Sequence, residues 1–90
     1  MTRNDIAAAI WRYMETETVV KVSLKHNRGP IIGSFVFMDD TPELEKKSMF
    51  RFVYNHKREL FDSKNRHINY TCIFNLDSIT HLKNVEHDML

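Results

Sequence analysis

The spacing of apolar residues along the chain changes near residue 17. Between Thr2 and Met14 the residues Ile6, Ala9, Ile10, Tyr13 and Met14 recur at helical intervals, which places them on one face of an amphipathic helix over about residues 2–15. Thr2 followed three residues later by Asp5 is a relative of the capping box, with Asp in place of Glu or Gln, and marks the helix start. Trp11 and Ala7 lie off the main stripe, so this helix is expected to cover the end or open side of a larger unit. From Thr18 the period becomes two: Val20, Val22 and Leu24 alternate with Lys21, Ser23 and Lys25, as in a strand with one buried and one wet face. Asn27-Arg28-Gly29-Pro30 is turn chemistry. Ile31 to Met38 is apolar on both faces and contains Gly33, which predicts a central strand with a bend or bulge at the glycine.

The second half of the chain continues in the same way. Asp39 to Glu45 holds four acids around Pro42 and is read as an exposed loop. Phe50, Phe52 and Tyr54 alternate with Arg51, Val53 and Asn55, giving a third strand. Residues 55–67 are polar apart from Leu60 and Phe61, and fit either a long hairpin tip or two strand extensions joined near residues 62–65. Ile68 to Phe74 predicts a fourth strand, Asn75 to Ser78 a short interruption and Ile79 to Lys83 a fifth strand, with residues 84–90 a frayed tail. The pattern predicts a mainly β fold, a small five-stranded antiparallel open barrel with one N-terminal helix. Its expected core is Ile10, Val20, Val22, Leu24, Phe35, Phe37, Phe52, Ile73 and Ile79.

Ninety residues is one domain, and a barrel of this size buries modest surface. Edge strands without proline are therefore expected to pair with further copies, the edges coming from residues 68–74 and 79–83. Cys72 is the sole cysteine, which excludes an intramolecular disulfide and points to a reducing compartment or to a protein indifferent to redox, the cytoplasm being the simplest expectation. No apolar run approaches a membrane span of ~20 residues, and Asp5 and Arg12 interrupt any signal-peptide core. No membrane association is expected.

The formal net charge is +1, so any nucleic-acid contact has to come from a local patch. Residues 46–66 supply one: seven cations, among them Lys57, Arg58, Lys64 and Arg66, against Glu59 and Asp62. Tyr54, Phe61 and Tyr70 interleave with it, the combination used to stack bases and neutralise phosphates. The same charges also suit a solvated hairpin kept soluble. The five histidines lack metal-site spacing. Cys72 falls mid-strand, where a thiol packs rather than reacts, and Asp39 and Asp40 would point to opposite faces of a strand. Neither an enzyme nor a cofactor is expected.

The order of elements from Thr2 to Lys83 resembles the Sm-like family of ring proteins, which includes Sm, LSm and bacterial host-factor proteins. The resemblance rests on Val20 to Leu24 before the turn, then on Gly33, Phe35 and Asp39, a glycine, an apolar residue two later and an aspartate six later on the second strand. It implies a helix-capped bent barrel, rings joined through the fourth and fifth strands, and single-stranded RNA as partner. Where the family usually has a base-binding asparagine this chain has Glu43, and Pro42 stands in the place of the stacking residue. Asn75-Leu76 stand where the family has arginine and glycine. The resemblance thus implies an altered pocket around Asp39, Pro42 and Asn75, so that RNA would be held mainly by phosphate contacts from the basic segment, through Lys57, Arg58, Lys64 and Arg66. The alternative is a structural or protein-interaction ring that has lost the RNA pocket.

Overall fold

A computed structural model describes residues 2–85. Helix α1 (Arg3–Thr16) is followed by strands β1 (Val20–Leu24) and β2 (Ile31–Phe35), helix α2 (Thr41–Lys46), strand β3 (Met49–Tyr54), helix α3 (Arg58–Ser63), and strands β4 (Cys72–Asn75) and β5 (Ile79–Asn84). The strands form one antiparallel sheet in the order β4-β3-β2-β1-β5. The expected capping box is present: Thr2 Oγ1 accepts the Asp5 amide and the Thr2 amide donates to Asp5 Oδ2, both at 3.2 Å. At the other end of α1, Glu17 turns into the left-handed region (φ 50°) and ends the helix.

The sheet curls because its two outer strands are neighbours in sequence. A single 3₁₀ turn (Leu76–Ser78) joins β4 to β5. Four residue steps reach at most ~14 Å, whereas the four inter-strand spacings of a flat five-stranded sheet span ~19 Å. The turn is fixed at both sides, since Leu76 donates to the Ser48 carbonyl (2.8 Å) before β3 and Ser78 accepts from the Lys25 amide (2.9 Å) after β1. The result is an open barrel, with β4 and β5 not paired to each other.

Two apolar clusters hold it. The larger lies inside the curl, where Ile6, Ala9, Ile10 and Met14 of α1 meet Val20, Val22, Phe35, Phe50, Phe52, Leu76, Ile79 and Leu82. The smaller lies on the outer face, where Phe61 of α3 covers Val36 and Val53. Neighbouring residues of a strand face opposite sides, so β3 is buried twice, by Phe50 and Phe52 within and by Val53 without.

Several expectations are corrected. Residues 39–45 are not a loop, because Thr41–Lys46 is helical with Pro42 in its first turn, where a missing amide costs nothing. Residues 55–67 hold no hairpin; a 3₁₀ turn (Asn55–Lys57) leads into α3, which packs Phe61 against the sheet. The fourth strand is shorter than expected, since Ile68–Tyr70 is a 3₁₀ turn. Phe37 is 53% and Ile73 44% exposed, so neither is core. Phe37 follows the end of β2, and Ile73 pairs with Arg51 on the outer face of an edge strand. Leu24 is half-buried against the core.

The bulge falls between β1 and β5 at Ser23/Leu24, and not at Gly33. Gly33 keeps regular register opposite Tyr54. Asn84 is not frayed: it pairs with Val20, and the Val85 amide donates to the Val19 carbonyl (3.2 Å). The remainder of the expected tail lies outside the described residues.

Candidate nucleic-acid interface

The basic residues of the second half do not form one free patch. Glu17 sits at the end of α1 and its carboxylate accepts from Arg58 (2.5 Å) and from both terminal nitrogens of Arg66 (2.7 and 3.1 Å). Arg58 also holds Asp62 one helical turn on (3.1 Å). Asn65 and Arg66 both take left-handed backbone, with φ 58° and 54°. This returns the chain over α3, so that the Arg66 guanidinium lies 4.7 Å from the centre of the Phe61 ring, a cation-π contact. Partial burial pushes the Glu17 carboxyl up, while the hydrogen bonds and charges of Arg66 and Arg58 push it down by more, so it titrates below its ordinary range. Burial lowers the affinity of Arg58 for its proton, and Asp62 and Glu17 outweigh that and raise it.

Arg51 is removed from the surface altogether. It points outward from β3 yet is only 7% exposed, and its guanidinium engages both carboxylate oxygens of Asp40 and donates to Thr71 Oγ1 (2.8 Å). The bonds from Arg51 hold the Asp40 carboxyl below its ordinary range. Lys46 pairs with Glu43 at 3.5 Å. Among the described residues Lys47, Lys57 and Lys64 remain exposed and make no ion pair.

The structure brings Asp39 and Arg66 together. Both line a cleft of about 420 Å³ with Phe37, Met38, Asp40 and Ile68. Pro42 and Asn75 do not line it. Pro42 is exposed in the first turn of α2, and Asn75 Oδ1 accepts the Asp77 amide (2.9 Å), capping the turn between β4 and β5. Lys57 ends the turn after β3, Arg58 opens α3, and Lys64 follows it. Sequence reading missed Glu17 as the acid that gathers two of the four expected phosphate contacts. The partners are 41 and 49 residues apart, and no local pattern marks such a pair.

At the far end of β3, Tyr54 is anchored by edge contacts to Phe52 (5.7 Å) and Phe74 (6.5 Å). The exposed His56 ring lies over Tyr54 at 5.5 Å and 31°. Burial, with Cys72 close by, raises the Tyr54 phenol above its ordinary value, and burial likewise raises the Cys72 thiol. That thiol donates to the Phe52 carbonyl (3.6 Å). Among the described residues no three His, Cys, Asp or Glu side chains are placed to hold a metal ion, and no helix is long and apolar enough to cross a membrane. No protein-family model, curated protein or solved structure matches this chain.

Replacing Glu17 tests the cluster. Glu17→Gln is expected to cost about 1 kcal/mol, a modest figure because the arginines are partly solvated. The sign with pH follows from the depressed carboxyl. The stabilisation is full above about pH 5 and is lost as pH falls through the folded-state value. Urea unfolding at neutral pH should separate the variant from the parent, and the gap should close in acid. A gap that does not change with pH would remove Glu17 from the account.

Proposed function

We propose that this chain is a subunit of an Sm-like ring that holds single-stranded RNA mainly through its phosphates. The observation that carries the reading is the open barrel itself. Its strand order places β4 and β5 at the two ends of one curled sheet, each with a strand partner on one side among the described residues, and an open strand edge is a template for another copy. Joining β4 of one copy to β5 of the next repeats head to tail and closes into a ring if the rotation allows. The exposed Ile73 on β4 supplies apolar surface beside that edge. A ring repeats weak single contacts, so that they sum through effective concentration.

For RNA, Lys57 and Lys64 are the two of the four expected phosphate contacts that are exposed and make no ion pair among the described residues. Arg58 and Arg66 join them to the extent that phosphate displaces Glu17 and Asp62. Such contacts release counterions, and binding falls with salt by a slope of roughly −0.7 per neutralised phosphate on single strands. Titration of short uridine-rich and adenine-rich RNAs at two salt concentrations tests this. Lys57→Ala with Lys64→Ala should weaken both RNAs about equally and flatten the slope, while Glu17→Gln should strengthen both and steepen it. The half-buried Cys72 thiol fits a reducing compartment, and we place the protein in the cytoplasm.

One observation favours the second reading, a structural or protein-interaction ring. Glu17 and Asp62 already satisfy two of the four cations expected to meet phosphate. A ring that retains neither RNA at low salt is that scaffold.

A further inference from the structure

The groove at the start of β2 has the chemistry of a base-stacking site. It has a volume of about 480 Å³ and is lined by Pro30, Ile31, Ile32, Tyr54, Asn55 and His56. One wall is a prearranged pair of rings, Tyr54 held beneath by Phe52 and Phe74 and His56 lying on it towards solvent. The lining also includes Pro30 and Ile32, the latter 41% exposed. Asn55 sits between the rings in sequence and carries both a donor and an acceptor.

Two cations adjoin the groove-lining residues in sequence. Arg28 stands two residues before Pro30 and Lys57 directly follows His56, whereas Lys25 lines a separate cleft with Arg3 and Asp77. Arg58 turns back to Glu17 and Asp62, whereas Lys57 stays exposed. An apolar slot with an anchored ring, and with Arg28 and Lys57 adjoining its lining residues in sequence, complements a planar base joined to a phosphate. A purely apolar peptide would leave the cations unmatched, and an acidic peptide would leave the ring face without a planar partner.

We propose that this groove takes one nucleobase of a single-stranded RNA, stacked on His56, with the adjoining phosphates held by Lys57 and Arg28. The site is separate from the cleft around Asp39 and Arg66, with which it shares no lining residue. It rests on the RNA-binding reading and deepens it by assigning base contact to the end of β3. Aromatic stacking tolerates any base, so the groove adds affinity with little sequence preference.

The test compares a short oligouridylate with a ribose-phosphate strand of equal length lacking bases, both at low salt. The parent protein should bind the base-bearing strand more tightly. His56→Ala should lower that affinity roughly tenfold, an ordinary loss for one stacked base, and leave the abasic strand unchanged. His56→Phe should restore it, because a ring is what the site requires. Lys57→Ala should weaken both strands. If the parent binds the oligouridylate and His56→Ala binds it equally well, the groove assignment is wrong while the RNA reading stands. If the parent binds neither strand, both fall.

Discussion

Gly33→Ala should unfold the protein or cost about 3 kcal/mol, the upper range for overpacking a close-packed core. A Cβ at this position would lie 2.1 Å from the Val53 carbonyl oxygen and 2.6 Å from two carbons of the Phe52 ring. The ring could in principle turn away, but the carbonyl belongs to β3 and moves only with the sheet. Phe52 also packs its ring against those of Phe35 (5.0 Å), Tyr54 and Phe74 (5.1 Å), so its displacement disturbs the centre of the larger cluster. Gly29 serves as the control, since a Cβ there meets nothing within 4 Å. Gly29→Ala should unfold in urea within about 0.5 kcal/mol of the parent, as surface substitutions usually do. Equal losses at the two glycines would contradict the packing described.

Asp40→Ala should be the next most damaging change, at about 2 to 3 kcal/mol. Removing one partner strands the other charge in a poorly solvated place, which costs 3–5 kcal/mol for fully buried pairs. The Asp40 side chain is 41% exposed, so water relieves part of the loss. Arg51→Met should cost about 1 kcal/mol or less, because the charge leaves with its side chain and Asp40 can hydrate. The ordering of the two urea midpoints is the result to read. Acid should erode the parent here too, since Asp40 stabilises the fold only while ionised and that contribution is lost as pH falls through its depressed folded-state value.

The helix and the five strands are legible in the sequence because their periods are long enough to count. The capping box, the Val20-Val22 alternation and the break at Asn75 each announce an element by its own chemistry. The two short helices leave no such mark. Thr41–Lys46 contributes one buried residue, Thr41, and Arg58–Ser63 contributes Phe61, so neither builds an apolar stripe. Asp40-Thr41-Pro42-Glu43 does carry a start signal, an acid beside a proline in the first turn. A run of acids around a proline reads equally as a loop. Phe37 and Ile73 were expected inside because they are large and apolar, but their place is decided by where β2 ends and by which strand lies at the edge.

The candidate interface was legible as a list of cations and not as a surface. Adding charges over residues 46–66 gives a basic segment, yet Arg51 is spent on Asp40, and Arg58 and Arg66 are gathered by Glu17 from the other end of the chain. Pairing across the fold has no signature in local composition. The Tyr54 and His56 rings lie two positions apart, and a strand would point them the same way. The 3₁₀ turn after β3 instead lays the second ring over the first.

Ring assembly underlies both the RNA reading and its scaffold alternative, and the mass of the particle in solution tests it most directly. Light scattering on the eluting peak at tens of micromolar should give one closed species of several subunits, with a mass independent of dilution over that range. A monomer at that concentration would contradict the account, leaving β4 and β5 as edges that the protein tolerates alone.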